Sequence, residues 1–272
     1  MKTKITVVVD NIPSDNLKGE WGLALYVEYG NQKILVDTGA SDLFAENLKK
    51  LGLSIEEVDY ATLSHAHYDH ANGMPRFFKD NQKAKFYVRE STGENCYAKK
   101  FIFRKYIGIP KHVMEKYSDR IEIVTGDYKI AEGLYLIPHK TPGLEAIGKR
   151  EMMYKKVKTG LMPDDFSHEQ SLVLDTDKGM VIINCCSHGG AVNIINEVCS
   201  TFPDKQVYGI IGGFHLFNKS EEEVRSVARA IRETGIEFVC TGHCTKERAY
   251  KIMKQELGDK LEMLRVGLVM EF

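Results

Sequence analysis

With 272 residues, the chain can form one large domain or two small ones, and either can bury a sizeable core. Its 37 basic and 38 acidic residues leave a net charge of -1, so no overall field favours nucleic acid or an anionic membrane as a partner. No run approaches the ~20 apolar residues that span a bilayer. The first residues enter a strand-like apolar run without the pattern of a signal peptide. We therefore expect a cytoplasmic protein, whose oligomeric state the sequence leaves open.

Strand and helix signals alternate over most of the chain. Short apolar runs bounded by turn residues predict strands, and apolar residues at helical spacing predict helices between them. Strands are predicted at residues 4–9, 22–28, 33–36, 60–63, 85–88, 120–124, 134–138, 171–174, 180–184, 206–211, 237–240 and 261–269, and helices at about 41–52, from 73, and at 191–199, 220–235 and 247–257. Because both halves carry strands with helices between them, we predict an α/β protein in which two similar layers face each other.

The stretch from about 90 to 160 is less regular. Aromatic and basic residues at mixed spacing, followed by Ile107-Gly108-Ile109-Pro110, interrupt the alternation. We predict one domain spanning residues 1–272, with a helical or irregular insertion at about 90–160 that shapes a substrate pocket. A solvated surface loop or hairpin is the alternative for this stretch.

Three histidines and an aspartate lie within six positions after a predicted buried strand, in His65-Ala66-His67-Tyr68-Asp69-His70. His65 and His67 stand two apart on an extended segment and point the same way, so they can share one cation. Asp69 and His70 fall where the chain turns and can face a second cation ~3.5–4 Å from the first. Imidazole with carboxylate suits zinc, manganese or iron(II) rather than calcium. This stretch therefore predicts a centre of two divalent metals, with zinc favoured and manganese or iron as the alternatives.

Three later histidines stand where predicted buried strands end. His188 follows 181–187, His243 follows 238–242, and His215 occupies a similar place after 206–211. Strand ends at one edge of a sheet converge, so His188 and His243 are the first candidates to complete the metal shell and His215 is the third. For each of them alone, a core or capping histidine is the alternative.

Two motifs carry a resemblance to a known family. The H-x-H-x-D-H form of residues 65–70 resembles the metal motif of the metallo-β-lactamase superfamily, and Ile34-Leu35-Val36-Asp37-Thr38-Gly39 is similar to its strand-end aspartate motif. More narrowly, the chain resembles the metal-dependent hydrolases of β-lactamase superfamily II, a subgroup that includes the dihydropterin–ribofuranosylaminobenzene 5'-phosphate synthase. The segments that carry this narrower resemblance are 63–73, 169–174, 186–188, 212–216 and 241–245.

The resemblance implies a four-layer αβ/βα sandwich of two mixed sheets, with helices outside and a two-metal site along one edge. By position, it also implies that Asp37 orients a ligand imidazole. The implied ligands are His65, His67 and His188 for the first metal and Asp69, His70 and His243 for the second.

One position departs from the family. The aspartate that usually bridges both metals is replaced by Cys185-Cys186-Ser187-His188, so Cys186 either binds metal as a thiolate or is inert. The third ligand of the first metal stays open for the same reason. His139, His168 and Glu169 are the alternatives to His188 at that position.

These residues predict a hydrolase. Hydroxide generated at the metals would attack a phosphorus or carbonyl centre, with Asp69 orienting it and accepting its proton. His215, or His243 if it is not committed to metal, would protonate the leaving group. The favoured substrate is a small anionic phosphate ester or phosphodiester. The resemblance implies, within this class, a pterin-related phosphorylated compound. The alternatives are a metal-binding sensor with a weakened site and a nuclease of the same fold, against which the balanced charge argues.

A basic run is the predicted source of phosphate contacts, and a solvated face is its alternative interpretation. Its residues are Lys149, Arg150, Lys155, Lys156 and Lys158.

Overall fold

The structure, a computed structural model, describes residues 2–14, 16–100 and 103–272. Its strands are β1 (Thr3–Val9), β2 (Ala24–Tyr29), β3 (Gln32–Val36), β4 (Tyr60–Thr62), β5 (Lys85–Arg89), β6 (Cys96–Lys100), β7 (Phe103–Tyr106), β8 (Ile121–Val124), β9 (Tyr128–Ala131), β10 (Leu134–Pro138), β11 (Met153–Val157), β12 (Gly160–Pro163), β13 (Gln170–Thr176), β14 (Gly179–Ile183), β15 (Val207–Gly212), β16 (Phe238–Thr241), β17 (Leu261–Met263) and β18 (Val269–Glu271). Its α-helices are α1 (Leu43–Lys50), α2 (Tyr68–Ala71), α3 (Met74–Asp80), α4 (Val113–Lys116), α5 (Glu145–Arg150), α6 (Ala191–Thr201), α7 (Glu221–Glu233) and α8 (Lys246–Leu257).

Two mixed sheets of seven strands form the body of the fold. The first sheet has the order β18-β1-β2-β3-β4-β5-β8, and the second has the order β17-β16-β15-β14-β13-β10-β9. Neighbouring strands are parallel from β3 to β8 in the first sheet and from β14 to β17 in the second. The carboxyl ends of these parallel strands define one edge of each sheet, and the predicted site residues follow those ends.

Side chains alternate between the two faces of each sheet and so form three apolar layers. One layer lies between the two sheets, and one lies on the outer face of each sheet. Ile5, Val27 and Ile34 face a core shared with the second sheet, while Val8 and Leu35, on the opposite face, pack on the helical layer around α1 and α3. The second sheet is covered in the same way by α6, α7 and α8. The predicted four-layer αβ/βα sandwich is confirmed, because each sheet buries one face on the other sheet and one on helices.

A capping box begins α7, at the start of the helix predicted over 220–235. Glu223 donates its backbone N–H to Ser220 Oγ, and the Ser220 backbone N–H donates to the Glu223 carboxylate 2.8 Å away. The two bonds satisfy amide groups that the first turn would otherwise leave unpaired. Val224, Ala228 and Ile231 then face the core, as their spacing predicts.

The stretch predicted as a helical or irregular insertion has more strand than expected. The strands β6 and β7 pair with β11 and β12, across the intervening chain, in a third, antiparallel sheet of order β12-β11-β6-β7. In the chain between these strands, β8 belongs to the first main sheet and β9 and β10 belong to the second. The stretch therefore contributes strands to all three sheets. In the part of the chain that the structure describes, no helix is long and apolar enough to cross a membrane.

Candidate metal centre

The candidate site lies where parallel strands of both sheets end. Four residues that follow these ends, Asp37, Ser187, His215 and His243, have left-handed backbone with φ between 47° and 61°. Non-glycine residues rarely adopt this conformation, and its cost is commonly retained at functional sites. Of the four, His243 reaches residues that follow the first sheet, because its Nε2 lies 3.2 Å from His70 Nε2 and 3.5 Å from Asp69 Oδ2.

His65, His67 and His188 form a first ligand set, with ligand atoms that lie within 4.8 Å of one another. Their imidazole centroids are 4.6 to 4.9 Å apart. Among the described residues, none forms a hydrogen bond to Nε2 of His65 or His67, or to either ring nitrogen of His188, although all four atoms are buried. Burial and the neighbouring imidazoles lower the pKa of His67 to about 3, so the ring is neutral, as a metal ligand must be. This set fits a divalent cation.

Asp37 fixes the ring orientations through a short network. Ser64 Oγ donates to Asp37 Oδ2 (2.6 Å) and therefore accepts from His65 Nδ1 (2.9 Å). His70 Nδ1 also lies 2.7 Å from Asp37 Oδ2 and donates to it. Both rings then carry their proton on Nδ1, which leaves each Nε2 with a lone pair facing the site.

Asp69, His70 and His243 form a second ligand set. The Nε2 atoms of His70 and His243 are 3.2 Å apart, and Asp69 Oδ2 lies 3.8 Å from the first and 3.5 Å from the second. The Asn11 amide orients His243, because its nitrogen donates to the His243 carbonyl (2.9 Å) and its oxygen therefore faces His243 Nδ1 (3.2 Å). His243 Nε2 thus also presents a lone pair. Two lone pairs and a carboxylate converge on one point, which a cation would satisfy.

The electrostatics of the second set agree with this geometry. Burial alone would raise the pKa of Asp69, but His70 and His243 outweigh it and hold the carboxyl ionised. Burial likewise opposes a charge on His243, but Cys244 and Asp69 raise its pKa overall. The site therefore attracts positive charge.

Cys186 enters the same centre. Its Sγ lies 3.2 Å from His70 Nε2 and 3.5 Å from the sulfur of Cys244, and both cysteines are buried. The sequence singled out Cys186 but gave no indication of Cys244. The two residues meet only because β14 and β16 end at the same edge of the second sheet.

Glu169 and His139, the predicted alternatives to His188, instead hold the turn that carries it. The Glu169 carboxylate accepts the backbone N–H of His188 (3.0 Å) and of Gly189 (3.1 Å). His139 lies between Glu169 and Glu197 and bonds both carboxylates. His168 is also engaged: its Nδ1 accepts the Ala66 backbone N–H (3.1 Å), and its Nε2 lies 3.2 Å from Asp164.

The His139 network predicts a pH dependence of stability. Burial would lower the pKa of His139, but Glu169 and Glu197 outweigh it and raise the pKa to about 9 from its ordinary 6.5. A raised pKa means that the imidazolium stabilises the fold fully below pH 6.5 and that this stabilisation is lost as the pH rises to 9. The loss is at most on the order of 3 kcal/mol.

Urea unfolding of the metal-free protein at pH 6.5 and pH 9 measures this loss. We expect the free energy of unfolding to fall between the two pH values in the wild type and to change less in His139→Gln. An equal fall in both proteins would show that His139 is not the group responsible.

A small cavity of about 170 Å³ opens onto both ligand sets. Its walls are mainly apolar and aromatic: Trp21, Tyr68 and Phe217 line it, together with Ala98 and Met153 from the third sheet. His215 also lines this cavity, 4.6 Å from the His188 ring, and both His215 nitrogens are buried without a hydrogen bond from a described residue. The third sheet therefore lines this cavity, and its role in a substrate pocket stays a prediction.

The cations near this cavity are not the predicted ones. Lys105 lies 5.7 Å from the Tyr68 ring centroid, and Lys246 lies 5.1 Å from that of Trp21. Of the predicted basic run, Arg150 lines a neighbouring cavity of about 290 Å³ that also reaches His188 and His215. The other four are less suited: Lys155 pairs with Asp165, while Lys149, Lys156 and Lys158 are exposed.

Residues 22–243 match the model of the metallo-beta-lactamase superfamily. The chain belongs to this superfamily. Members of this fold bind divalent metals and include metal-dependent hydrolases, in agreement with the two ligand sets. Membership of this superfamily, which the sequence motifs indicated, is therefore confirmed.

Three relatives of this metallo-β-lactamase-superfamily protein illustrate its similarities. It is 25% identical over 269 residues to the 7,8-dihydropterin-6-methyl-4-(β-D-ribofuranosyl)-aminobenzene-5'-phosphate synthase of Methanocaldococcus jannaschii, covering 92% of this chain and 90% of the relative. The crystal structure of Tm1679, a metal-dependent hydrolase of the β-lactamase superfamily, superposes with a TM-score of 0.83 and 28% identity over 99% of both chains. Zn²⁺-bound PqqB from Methylobacterium extorquens shares the fold, with a TM-score of 0.59 and 7% identity over 99% of this chain and 100% of that one.

Proposed function

We propose that this protein is a hydrolase that uses two divalent metals, with zinc favoured, to cleave a small phosphate ester or phosphodiester. The observation that carries the proposal is the pair of adjoining ligand sets. In the first set the buried ring nitrogens that face one another have no hydrogen-bond partner among the described residues, and in the second set the Nε2 atoms of His70 and His243 lie 3.2 Å apart. His65, His67 and His188 would hold the first metal. Asp69, His70 and His243 would hold the second.

The bound metals would supply a water molecule ionised to hydroxide at neutral pH. The protein's own groups have separate tasks. Asp69 orients the nucleophile as a hydrogen-bond acceptor; because its pKa is lowered, it is a poor store for the proton. His215 lines the same cavity, its ring nitrogens make no hydrogen bond to a described residue, and the Glu151 carboxylate lies 3.8 Å from its Nε2; it donates the proton to the leaving group.

The cavity supports a small anionic substrate with a flat apolar portion. Its aromatic walls suit stacking against a ring, and Lys105 and Lys246 place positive charge beside those walls. A phosphorylated pterin-like compound has this combination, and the name of the Methanocaldococcus relative includes both a pterin and a phosphate.

The second candidate function is a synthase reaction at the same centre. Its support is the match to the synthase over 92% of this chain. The two candidates differ in one measurable respect, since a hydrolase releases product from the ester alone, whereas a synthase requires a second substrate.

The test is an assay of metal-depleted protein reloaded with zinc, manganese or iron(II) against phosphomonoesters, phosphodiesters, carboxylic esters and lactones. We expect turnover of a phosphorus ester only after reloading. Two bound metals with no turnover of any ester would contradict the hydrolase and favour the synthase or a metal-binding sensor.

A His215→Gln variant tests the proton donor. With an alkyl phosphodiester, whose leaving group needs a proton, we expect kcat to fall about 100-fold, within the range for loss of a general acid. With a p-nitrophenyl phosphodiester, whose leaving group departs unprotonated, we expect kcat to change less than about threefold. Equal losses on both substrates would contradict the role, and unchanged metal content is the control.

A further inference from the structure

Cysteine sulfur lies among the ligand atoms of both sets. Cys186 forms one group with His65 and His70 and another with His243 and Cys244, and in each group the ligand atoms lie within 4.8 Å of one another. His65 belongs to the first ligand set and His243 to the second. A single sulfur, that of Cys186, therefore faces both metal positions.

Hydrogen bonding alone does not satisfy these atoms. His70 gives its Nδ1 proton to Asp37, and His243 directs its Nδ1 proton at Asn11, so both Nε2 atoms carry lone pairs. The Cys186 thiol has one proton and can donate it to only one of these two Nε2 atoms. The other Nε2 atom, 3.2 Å away, then keeps an unpaired lone pair. The sulfur of Cys244 accepts the His215 backbone N–H (3.2 Å) and directs its own thiol proton at Cys186 (3.5 Å between the sulfurs), so it donates nothing to the two imidazoles. One cation would satisfy all these acceptors.

The separations between these atoms also fit a common metal ion. Ligand atoms about 2.0–2.3 Å from a tetrahedral zinc ion lie about 3.3–3.8 Å from one another. The observed separations are 3.2 Å for His70 to His243 and for Cys186 to His70, and 3.5 Å for Cys186 to Cys244. Asp69 Oδ2 lies 3.5 and 3.8 Å from the two imidazoles of its set.

We propose that the second metal is bound by sulfur as well as by imidazole, with Cys186 as a thiolate shared between the two metals and Cys244 as a further ligand. Cys186 then replaces the oxygen bridge that the family resemblance implies. This inference rests on the proposed function, since it concerns the same metal centre. Thiolate ligands select zinc, iron(II) and cobalt(II) over manganese and magnesium, so the substitution sets the metal preference of the protein.

Cobalt(II) provides a readout that does not depend on activity. We expect the metal-free full-length protein, kept reduced with a phosphine under anaerobic conditions, to bind two cobalt ions and to develop sulfur-to-cobalt charge-transfer absorption in the near ultraviolet. Cys186→Ser should lose most of this absorption, and Cys244→Ser should lose part of it. Cys199→Ser, which changes an exposed cysteine, is the matched control and should keep all of it.

A second variant restores the carboxylate. We expect Cys186→Asp to bind two metals without the charge-transfer band and to shift the relative affinity for manganese over zinc by at least about tenfold toward manganese. This comparison and the wild-type spectrum decide the matter even where Cys186→Ser fails to fold.

The failures are distinguishable. Two cobalt ions bound by the wild type without a sulfur band, or an undiminished band in Cys186→Ser, would overturn sulfur ligation and leave the proposed hydrolase standing. A wild type that binds no metal would overturn both.

Discussion

A His67→Ala variant is expected to lose turnover of the phosphorus ester by more than about 10³-fold, because without the first metal the nucleophile is no longer ionised at neutral pH. His67 Nε2 is buried without a hydrogen-bond partner among the described residues, and the ligand atoms of His65, His67 and His188 lie within 4.8 Å of one another. Elemental analysis should find at least one metal equivalent fewer than in the wild type.

Thermal unfolding separates this loss from misfolding. A ligand bound to the native state raises its stability, so a chelator should lower the Tm of the wild type more than that of His67→Ala. His112→Asn is the control, since this histidine is exposed and asparagine tolerates its left-handed backbone. Full activity in His67→Ala, or an equal loss in His112→Asn, would contradict the role of His67.

Asp37→Asn is expected to weaken the binding of both metals by about 10- to 100-fold, although Asp37 is not itself proposed as a ligand. Its carboxylate accepts three hydrogen bonds, from the Ser64 backbone N–H, Ser64 Oγ and His70 Nδ1. An amide must direct its NH₂ group at one of these donors, and the hydrogen bond to that donor is lost. The loss frees the His70 ring directly, or it frees Ser64 and thereby the His65 ring that Ser64 orients. Asparagine tolerates the left-handed backbone of this residue, so strain does not confound the result.

Competition with a chromophoric chelator measures the two affinities. Asp59→Asn is a matched control, because Asp59 also accepts a backbone N–H, from Lys33, but pairs with Lys83 instead of an imidazole. Wild-type affinity for both metals in Asp37→Asn would contradict the orienting role. A loss confined to one metal would show that only one branch of the network matters.

Much of the centre was predictable because local spacing and sheet topology determine it. Residues 65–70 follow β4, and parallel strands deliver the ends of β14, β15 and β16 to the same edge. The structure brings His65, His67, Asp69, His70, His188 and His243 together as the sequence predicted, and their role as ligands remains a proposal.

The remaining contacts depend on pairings that sequence spacing does not reveal. Asn11 reaches His243 across 232 positions, and Cys244 meets Cys186 across 58. The third sheet pairs β6 with β11, whose mixed polar and apolar residues gave no clear strand period. Turn chemistry offered one missed signal, since a polar pair, Asp10-Asn11, directly follows the apolar run of β1.

The position of Glu169 and His139 shows a further limit. Both precede the bridging position, and the family resemblance places a histidine ligand on the strand before it, which made them candidates for the third ligand. Because Glu169 instead accepts two backbone N–H groups of the His188 turn, its charge is used to hold that turn. Residue type and spacing do not distinguish a ligand from a residue that positions one.

Anomalous diffraction at the zinc edge from crystals of protein produced with adequate zinc tests the central claim most directly. We expect two peaks about 3.5–4 Å apart, one among His65, His67 and His188 and one among Asp69, His70 and His243. One peak, or none, would contradict a two-metal centre.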